Sequence, residues 1–369
     1  MNQLFRWDQM GLFLLALAAG ILPFAVPEVC AAALREGLTL CSGPLLLSLF
    51  PFLVVSRLLI QCPESNLLAL PFRLAAWGIG IRTPCAARVL CIGFLGGFAP
   101  AASAAAQAVR TGQLTAEEAD ALLPACICSG PSFVVLTVGQ SLLGSAELGV
   151  LLFASQITAN YLTAALLNRF AGMHSVKPGS AAPAFPAPPR LDEILADAAI
   201  TYCKLCGFIL FFRMLAAGAG ALLPAGAGTL CAVLLEVCSG CDLASRTGRW
   251  GSLLCCAALS VQGLSVLLQV RTICPPEMTL RPLYRSRLLH LPLSLALFYL
   301  LLPGGEADVF STLPARVLLM RRVPPDCALL VFAVCCMAAC TLRSGIRQVE
   351  QKQMARNAGG CCINSKTLL

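Results

Sequence analysis

The chain has 369 residues, of which 58% are hydrophobic and 12% charged, and its mean hydropathy is +0.81. A soluble domain carries about 25% charged residues, so this composition excludes a water-soluble enzyme and a disordered scaffold and points to a lipid bilayer. The net charge of +8, from 26 Lys and Arg against 18 Asp and Glu, fits basic residues flanking membrane helices. With no long lysine run and no aromatic-interleaved basic patch, nucleic acid is not expected as a partner.

About 20 apolar residues cross the hydrocarbon core as a helix, so the length allows about eight to ten crossings. The first apolar run is Gly11–Ala33, with Pro23 and Pro27 as kink points; it is too long for a cleaved leader and reads as a retained helix. The second is Leu38–Ile60, with Pro44 and Pro51 inside it. Gln61–Ile81 is mixed, and Arg73, Arg82, Phe72 and Trp77 suggest a segment in the interface. Arg88–Val109 is rich in small residues. After the polar stretch Arg110–Asp120, Thr115 and Glu118 form a capping box that starts a helix. That helix meets Ser129-Gly130-Pro131, which should break it. Apolar sequence resumes over Phe133–Leu143, and a crossing follows over Ala146–Asn168, with Gln156 and Asn160 on one face.

Pro178, Pro183, Pro186, Pro188 and Pro189 mark residues 171–189 as an extended linker. Beyond it come the polar stretch Arg190–Asp197, an apolar run to Leu223, and further runs at Ala225–Val237, Gly251–Val270, Leu283–Leu302 and Cys327–Thr341. From Arg343 onward the chain carries five cations and one anion, which places the tail, 344–369, in the cytoplasm by the positive-inside rule. The expected organisation is an N-terminal repeat (1–170), the linker, a C-terminal repeat (190–343) and the tail.

Little here suggests catalysis. There are two histidines, His174 and His290, and no HExxH, GxSxG or P-loop. The 21 cysteines lie mostly in apolar stretches, where cysteine acts as a small apolar packing residue. Cysteines this frequent make the pairs Cys203/Cys206 and Cys238/Cys241 unremarkable as a metal signal. No enzyme activity, cofactor or metal is expected.

The two halves share an order of parts. Each has a bulky helix (Gly37–Ile60; Arg190–Leu223), then a small-residue helix with embedded polar groups, then a short charged loop (Arg110–Glu118; Arg271–Arg281) and a closing helix. The small-residue helices contain Gly93 to Pro100 with Ser103 and Gln107, and Ser260 to Ser265 with Gln269. Interrupted helices at matching places of two repeats point to a transporter site, because unsatisfied backbone survives in a membrane only where protein buries it or a wet cavity meets it. Gly96, Gly97, Pro100, Ser103, Gln107, Ser129, Gly130, Pro131, Gln262, Gly263, Ser265 and Gln269 are the candidate substrate-binding residues. Gly93 and Gly97 also form a GxxxG, which brings helices together without any site. Glu236, near the end of an apolar run, is the candidate coupling or gating residue; the alternative is that the run ends early and leaves it at the headgroups.

The order of these motifs resembles the YlbJ family of sporulation integral membrane proteins, in the superfamily with the nucleoside-recognition "gate" domain. The similar stretches are Gly43-Pro44-Leu45 through Phe50-Pro51-Phe52 to Leu59, Gly93 to Pro100, and Thr111 to Ala119 leading to Cys126 and Ser129-Gly130-Pro131. In the second half they are Leu235-Glu236-Val237 with Gly240, Gly263 to Val266 with Gln269-Val270, and Arg287-Leu288-Leu289-His290. Together they cover roughly residues 38–170 and 200–300. The resemblance implies a permease-like protein in the cell or forespore membrane of an endospore-forming bacterium. Its substrate would be a small organic anion such as dipicolinate, an aromatic dicarboxylate, and its partners the lipid bilayer and a second copy or sporulation membrane proteins. Two departures stand out. The family gate places a glycine and then a lysine after its proline, where this chain has Ala101-Ala102; and Ile127 and Cys128 stand where asparagines are usual. They leave open a non-transporting assembly or signalling protein for spore maturation. The fold expected is all-α: a polytopic membrane protein of about 8–10 helices, in two internal, inverted repeats with broken or re-entrant helices.

Overall fold

In the computed structural model, which describes residues 2–61, 65–171 and 190–302, the chain is helical and no strand occurs among the described residues. The helices are α1 (Asn2–Ala25), α2 (Pro27–Ser42), α3 (Pro44–Gln61), α4 (Ser65–Leu68), α5 (Leu70–Gly78), α6 (Pro84–Gly96), α7 (Phe98–Arg110) and α8 (Ala116–Cys126). A π-helix, π1 (Ser132–Leu142), follows, then α9 (Ala146–Phe170), α10 (Leu191–Leu222), α11 (Ala225–Leu235), α12 (Val237–Ser245), α13 (Gly251–Val261), α14 (Gly263–Ile273) and α15 (Arg281–Leu301). The linker beyond Ala171, the run Cys327–Thr341 and the basic tail lie outside the described residues.

Local chemistry sets many of the boundaries. Pro27, Pro44 and Pro84 each open a helix, where a missing N–H costs nothing. The capping box forms as expected: Glu118 N donates to Thr115 Oγ1 (3.1 Å) and Thr115 N to Glu118 Oε2 (3.0 Å).

Four stretches are long and apolar enough to cross a membrane by length and composition: Pro27–Leu47, Ala146–Phe170, Leu191–Leu222 and Gly248–Ile273. Five shorter apolar helices accompany them, at Phe13–Ala25, Leu49–Ile60, Pro84–Gly96, Ser132–Leu142 and Gly226–Leu235. The difference from eight to ten full crossings has a local cause. Hydropathy counts Gly11–Ala33, Arg88–Val109 and the sequence around Glu236 as unbroken, but the backbone interrupts them at Val26, Gly97 and Glu236.

The outer surface is apolar: Phe24 is 90% exposed, Phe170 82% and Leu288 79%. The interior is mixed. Ser155, Asn160, Ser260, Ser265, Gln269 and His290 are buried beside the aliphatic core. Apolar area of this kind facing outward belongs in lipid rather than water. α9 packs on α8, π1 and α15, and α10 packs on α2, α3 and α11.

Candidate functional site

Four helix interruptions meet in two touching pairs. Between α6 and α7, Gly97 adopts φ 82°, ψ −163°, a region nearly closed to side chains. It lies directly on the interruption between α8 and π1: a Cβ on Gly97 would stand 2.6 Å from Gly130 N. The expected break at Ser129-Gly130-Pro131 is present, with α8 ending at Cys126 and π1 starting at Ser132. In the second half, α11 and α12 are separated by one extended residue, Glu236 (φ −151°, ψ 126°). α13 and α14 are separated by Gln262, which is left-handed at φ 66°. Here too the breaks touch, since a Cβ on Gly263 would stand 3.0 Å from Glu236 N.

Glu236 is 2% exposed, and its carboxylate caps α12 from within. Oε1 accepts from Cys238 N (2.8 Å), and Oε2 accepts from Ser239 N (2.7 Å) and Ser239 Oγ (2.8 Å). The acid therefore satisfies orphan donors at a helix N-terminus and balances the positive end of the dipole. No ion pair joins it among the described residues. A cavity of about 50 Å³ lies against it, lined by Gly96, Phe98, Ser129, Gly130, Val237 and Gln269, among others. The N-terminal ends of α7, π1 and α12 all border this space, and α14 contributes Gln269.

A second polar cluster surrounds Arg287 on α15, which is 8% exposed. Its guanidinium donates to Asn160 Oδ1 (3.2 Å), to Ile127 O (3.4 Å) just past the end of α8, and to Ser260 O (3.5 Å) near the end of α13. These are long bonds. Their common feature is that the cation faces the carbonyl ends of two interrupted helices, where the dipole is negative. Gln156 reinforces the cluster by donating to Ser260 Oγ (2.9 Å) and Cys256 O (3.2 Å), and His290 Nε2 lies 3.2 Å from Gln156 O. N-terminal ends thus meet an internal acid, and C-terminal ends an internal base.

No known family model matches the sequence, and no curated protein or solved structure matches it. The site's chemistry therefore rests on its own residues.

Of the predicted residues, Gly96, Ser129, Gly130, Gln269 and Glu236 line one cavity. Gly97 and Gly263 form the contacts between breaks. Gln262 bridges the halves: its Nε2 donates to Leu259 O (2.5 Å) and to Ser129 Oγ (3.5 Å). Gln269 Nε2 donates to Ser265 Oγ (2.9 Å). The Oε1 atoms of Gln262 and Gln269 are buried and accept no hydrogen bond among the described residues. Pro100 and Pro131 sit just inside and just before the helices that start at the breaks. Ser103 faces a different hollow, toward the other end of α7, and Gln107 is half-buried further along that helix.

The sequence reading missed Arg287 as a site residue, although Arg-x-x-His on one face of a closing helix was a usable signal. It also missed Asp120, whose carboxylate accepts from Thr279 N (2.8 Å), Thr279 Oγ1 (2.7 Å) and Leu280 N (3.1 Å), and so ties the loop before α15 to α8. A larger hollow of about 440 Å³ is a groove lined by Trp250, Leu253, Leu254, Leu295 and Tyr299; it lies away from the breaks and has no comparable polar residues. Among the described residues, no group of three or more His, Cys, Asp or Glu side chains is placed to hold a metal ion.

Proposed function

We propose that this chain is a multi-pass membrane permease that moves a small organic anion, a YlbJ-like member of the gate-domain proteins working at the forespore membrane. The observation that carries the reading is the convergence of the helix interruptions, in touching pairs, beside a cavity holding a buried acid. Interrupted helices present free backbone dipoles at membrane depth, and transporters use those dipoles to hold solutes and ions. The order α6–α7–α8–π1–α9 corresponds to α11–α12–α13–α14–α15 as two repeats, so that Gly97 pairs with Glu236 and Gly130 with Gln262, in place of the pairing of Gly93–Pro100 with Ser260–Ser265 expected from the sequence. Packing supports that correspondence, since α7 lies on α14 as α12 lies on π1, and the closing helices α9 and α15 pack together.

In this reading the N-terminal ends of α7 and π1 receive a carboxylate, and Gln269 meets it through its Nε2 amide, which in the closed cavity donates to Ser265 Oγ (2.9 Å). Glu236 makes the step conditional. A carboxylate repels a second anion at this range, so loading requires the Glu236 side chain to turn away from the cavity. The reading predicts that Ser129→Ala and Gln269→Ala each lower uptake of 2,6-pyridinedicarboxylate into reconstituted vesicles, and that Glu236→Gln lowers it by about tenfold or more. Unchanged uptake in all three variants overturns the site.

The second reading is a membrane assembly or signalling protein that keeps the fold without transport. The small cavity favours it, since about 50 Å³ holds a water or two rather than an aromatic dicarboxylate. Spores lacking the protein separate the two. Low dipicolinate supports transport, while normal dipicolinate in defective spores supports assembly.

A further inference from the structure

We infer that the polar hollow between α3, α7, α10 and α14 is the vestibule that captures the anion on its way to the cavity at the breaks; the inference rests on the permease reading above. The hollow has a volume of about 160 Å³, and Arg57, Ser103, Arg110, Asp197, Lys204 and Thr272 lie on its wall. Three cations thus face one acid. Arg57 pairs with Asp197 at 2.6 Å. Arg110 donates only to the carbonyl of Ile273 (3.4 Å), and Lys204 joins no ion pair among the described residues. Among the described residues, Arg110 and Lys204 have no counter-charge. Arg57 also keeps a buried Nε that makes no hydrogen bond among the described residues. The volume is below the roughly 300 Å³ of a drug-sized pocket. The occupant is therefore a small anion bearing carboxylate or phosphate, too small a space for a nucleotide.

The position makes this hollow part of a path. Three helices carry residues of both cavities within one or two turns. On α7, Phe98 lines the cavity at the breaks and Ser103 the hollow; on α10, Ile209 and Leu205; on α14, Gln269 and Thr272. The two spaces are therefore stacked along the same three helices, a few ångströms to about one turn apart. An apolar cluster borders both spaces: Leu53, Ala99, Ala198, Tyr202 and Leu205 form it, Leu205 and the adjoining Ile273 line the hollow, and the adjoining Phe98 lines the cavity at the breaks. Tyr202 is held in this cluster by its hydroxyl, which donates to Cys41 O, and by the edge of Phe50 at 6.2 Å between centroids. A cationic mouth, an apolar cluster and an inner cavity with a mostly apolar wall, to which Ser129, Glu236 and Gln269 bring polar groups, follow one another. The mouth concentrates anions, the cluster keeps water and small ions from leaking through, and the inner cavity selects.

The test uses the full chain in phosphatidylcholine nanodiscs for binding and in phosphatidylcholine vesicles for uptake, with radiolabelled 2,6-pyridinedicarboxylate as probe. Arg110→Gln/Lys204→Gln raises Kd and KM about tenfold at low salt, with a much smaller change in kcat. The gap closes to under about twofold near 1 M salt, where the Debye length falls to about 3 Å. A structural defect would not vanish with salt. Lys204→Gln alone, at an exposed helical position, gives about threefold and carries the test if the double variant does not fold. Arg73→Gln/Arg169→Gln removes two charges from α5 and α9, which line neither space, and is the control for the double variant, with Arg169→Gln alone the control for Lys204→Gln. Variants no different from their controls overturn the vestibule, as does a wild-type chain that binds no probe. Wild-type binding that the double variant loses, without uptake by either, keeps the anion site in the hollow but removes the permease reading and with it the site's place on a path. A lipid headgroup offers the same anionic chemistry. If phosphatidylglycerol added to the nanodiscs displaces the probe and is retained by wild type but not by the double variant, the cations serve lipid and the vestibule is overturned.

Discussion

Replacing Gly97 by alanine tests whether the first pair of helix breaks is in contact, because Gly112 provides a matched control. At Gly97 the backbone sits in a region nearly restricted to glycine, which costs another residue about 1–3 kcal/mol. The added Cβ also meets Gly130 N at 2.6 Å and Gly130 Cα at 2.9 Å. Both are backbone atoms that no rotamer change can move, so prising the breaks apart adds about 1–3 kcal/mol. The sum is about 4 kcal/mol. Gly112 also has positive φ, at 70°, but nothing lies within 4 Å of its Cβ position; alanine there costs only the left-handed backbone, about 1–2 kcal/mol. At about 2 °C per kcal/mol for a chain of this size, Gly97→Ala lowers the unfolding midpoint by about 8 °C and Gly112→Ala by about 3 °C. A thiol-reactive fluorophore reads both in detergent, since Cys126 and Cys128 are buried at this break and react when it opens. Equal shifts for the two variants would refute the contact between Gly97 and Gly130.

Arg287→Met leaves the carbonyls at the ends of α8 and α13 facing an apolar side chain and costs about 3 kcal/mol. Arg287→Lys recovers less than half of that, because an ammonium lacks the planar fork; a Met variant with the wild-type midpoint contradicts the role. Asp120→Asn weakens three bonds to the loop before α15 at about 1–2 kcal/mol. It exposes the chain near Arg271 and Arg281 to trypsin under native conditions, and protection equal to wild type contradicts it.

Much of the helix content was legible, because apolar runs and proline or capping signals act over a few residues. The break at 127–131 was legible for the same reason: Ser129-Gly130-Pro131 cannot continue a helix. The break at Gln262 was not. Gly263 marked the stretch Ser260–Ser265 as one that can be interrupted, but the left-handed turn begins a residue earlier, at Gln262, in a conformation that glutamine disfavours; the close approach of Gly263 to Glu236 goes with it. Glu236 could be singled out as an acid in an apolar run, but not as the cap of a helix that its own conformation starts. The candidates divided for a related reason. Spacing along α7 put Ser103 in one group with Gly96, but only the packing of α3, α10 and α14 decides that they face two different spaces. Arg287 was hidden inside the apolar run Leu283–Leu302, where, its spacing to His290 aside, nothing in the sequence set it apart from the nearby Arg281 and Arg285. Only Arg287 of the three is buried.

The acid at the N-terminal ends and the guanidinium at the C-terminal ends have an electrical consequence. If the bilayer core encloses the breaks, both lie within the transmembrane field, and a charge carried through the whole of it exchanges about 2.3 kcal/mol with each 100 mV. If a rearrangement of the breaks carried Glu236 and Arg287 in the same direction, their contributions would cancel and the motion would ignore voltage. If it carried them in opposite directions, the contributions would add, and the protein would become a voltmeter as well as a passage.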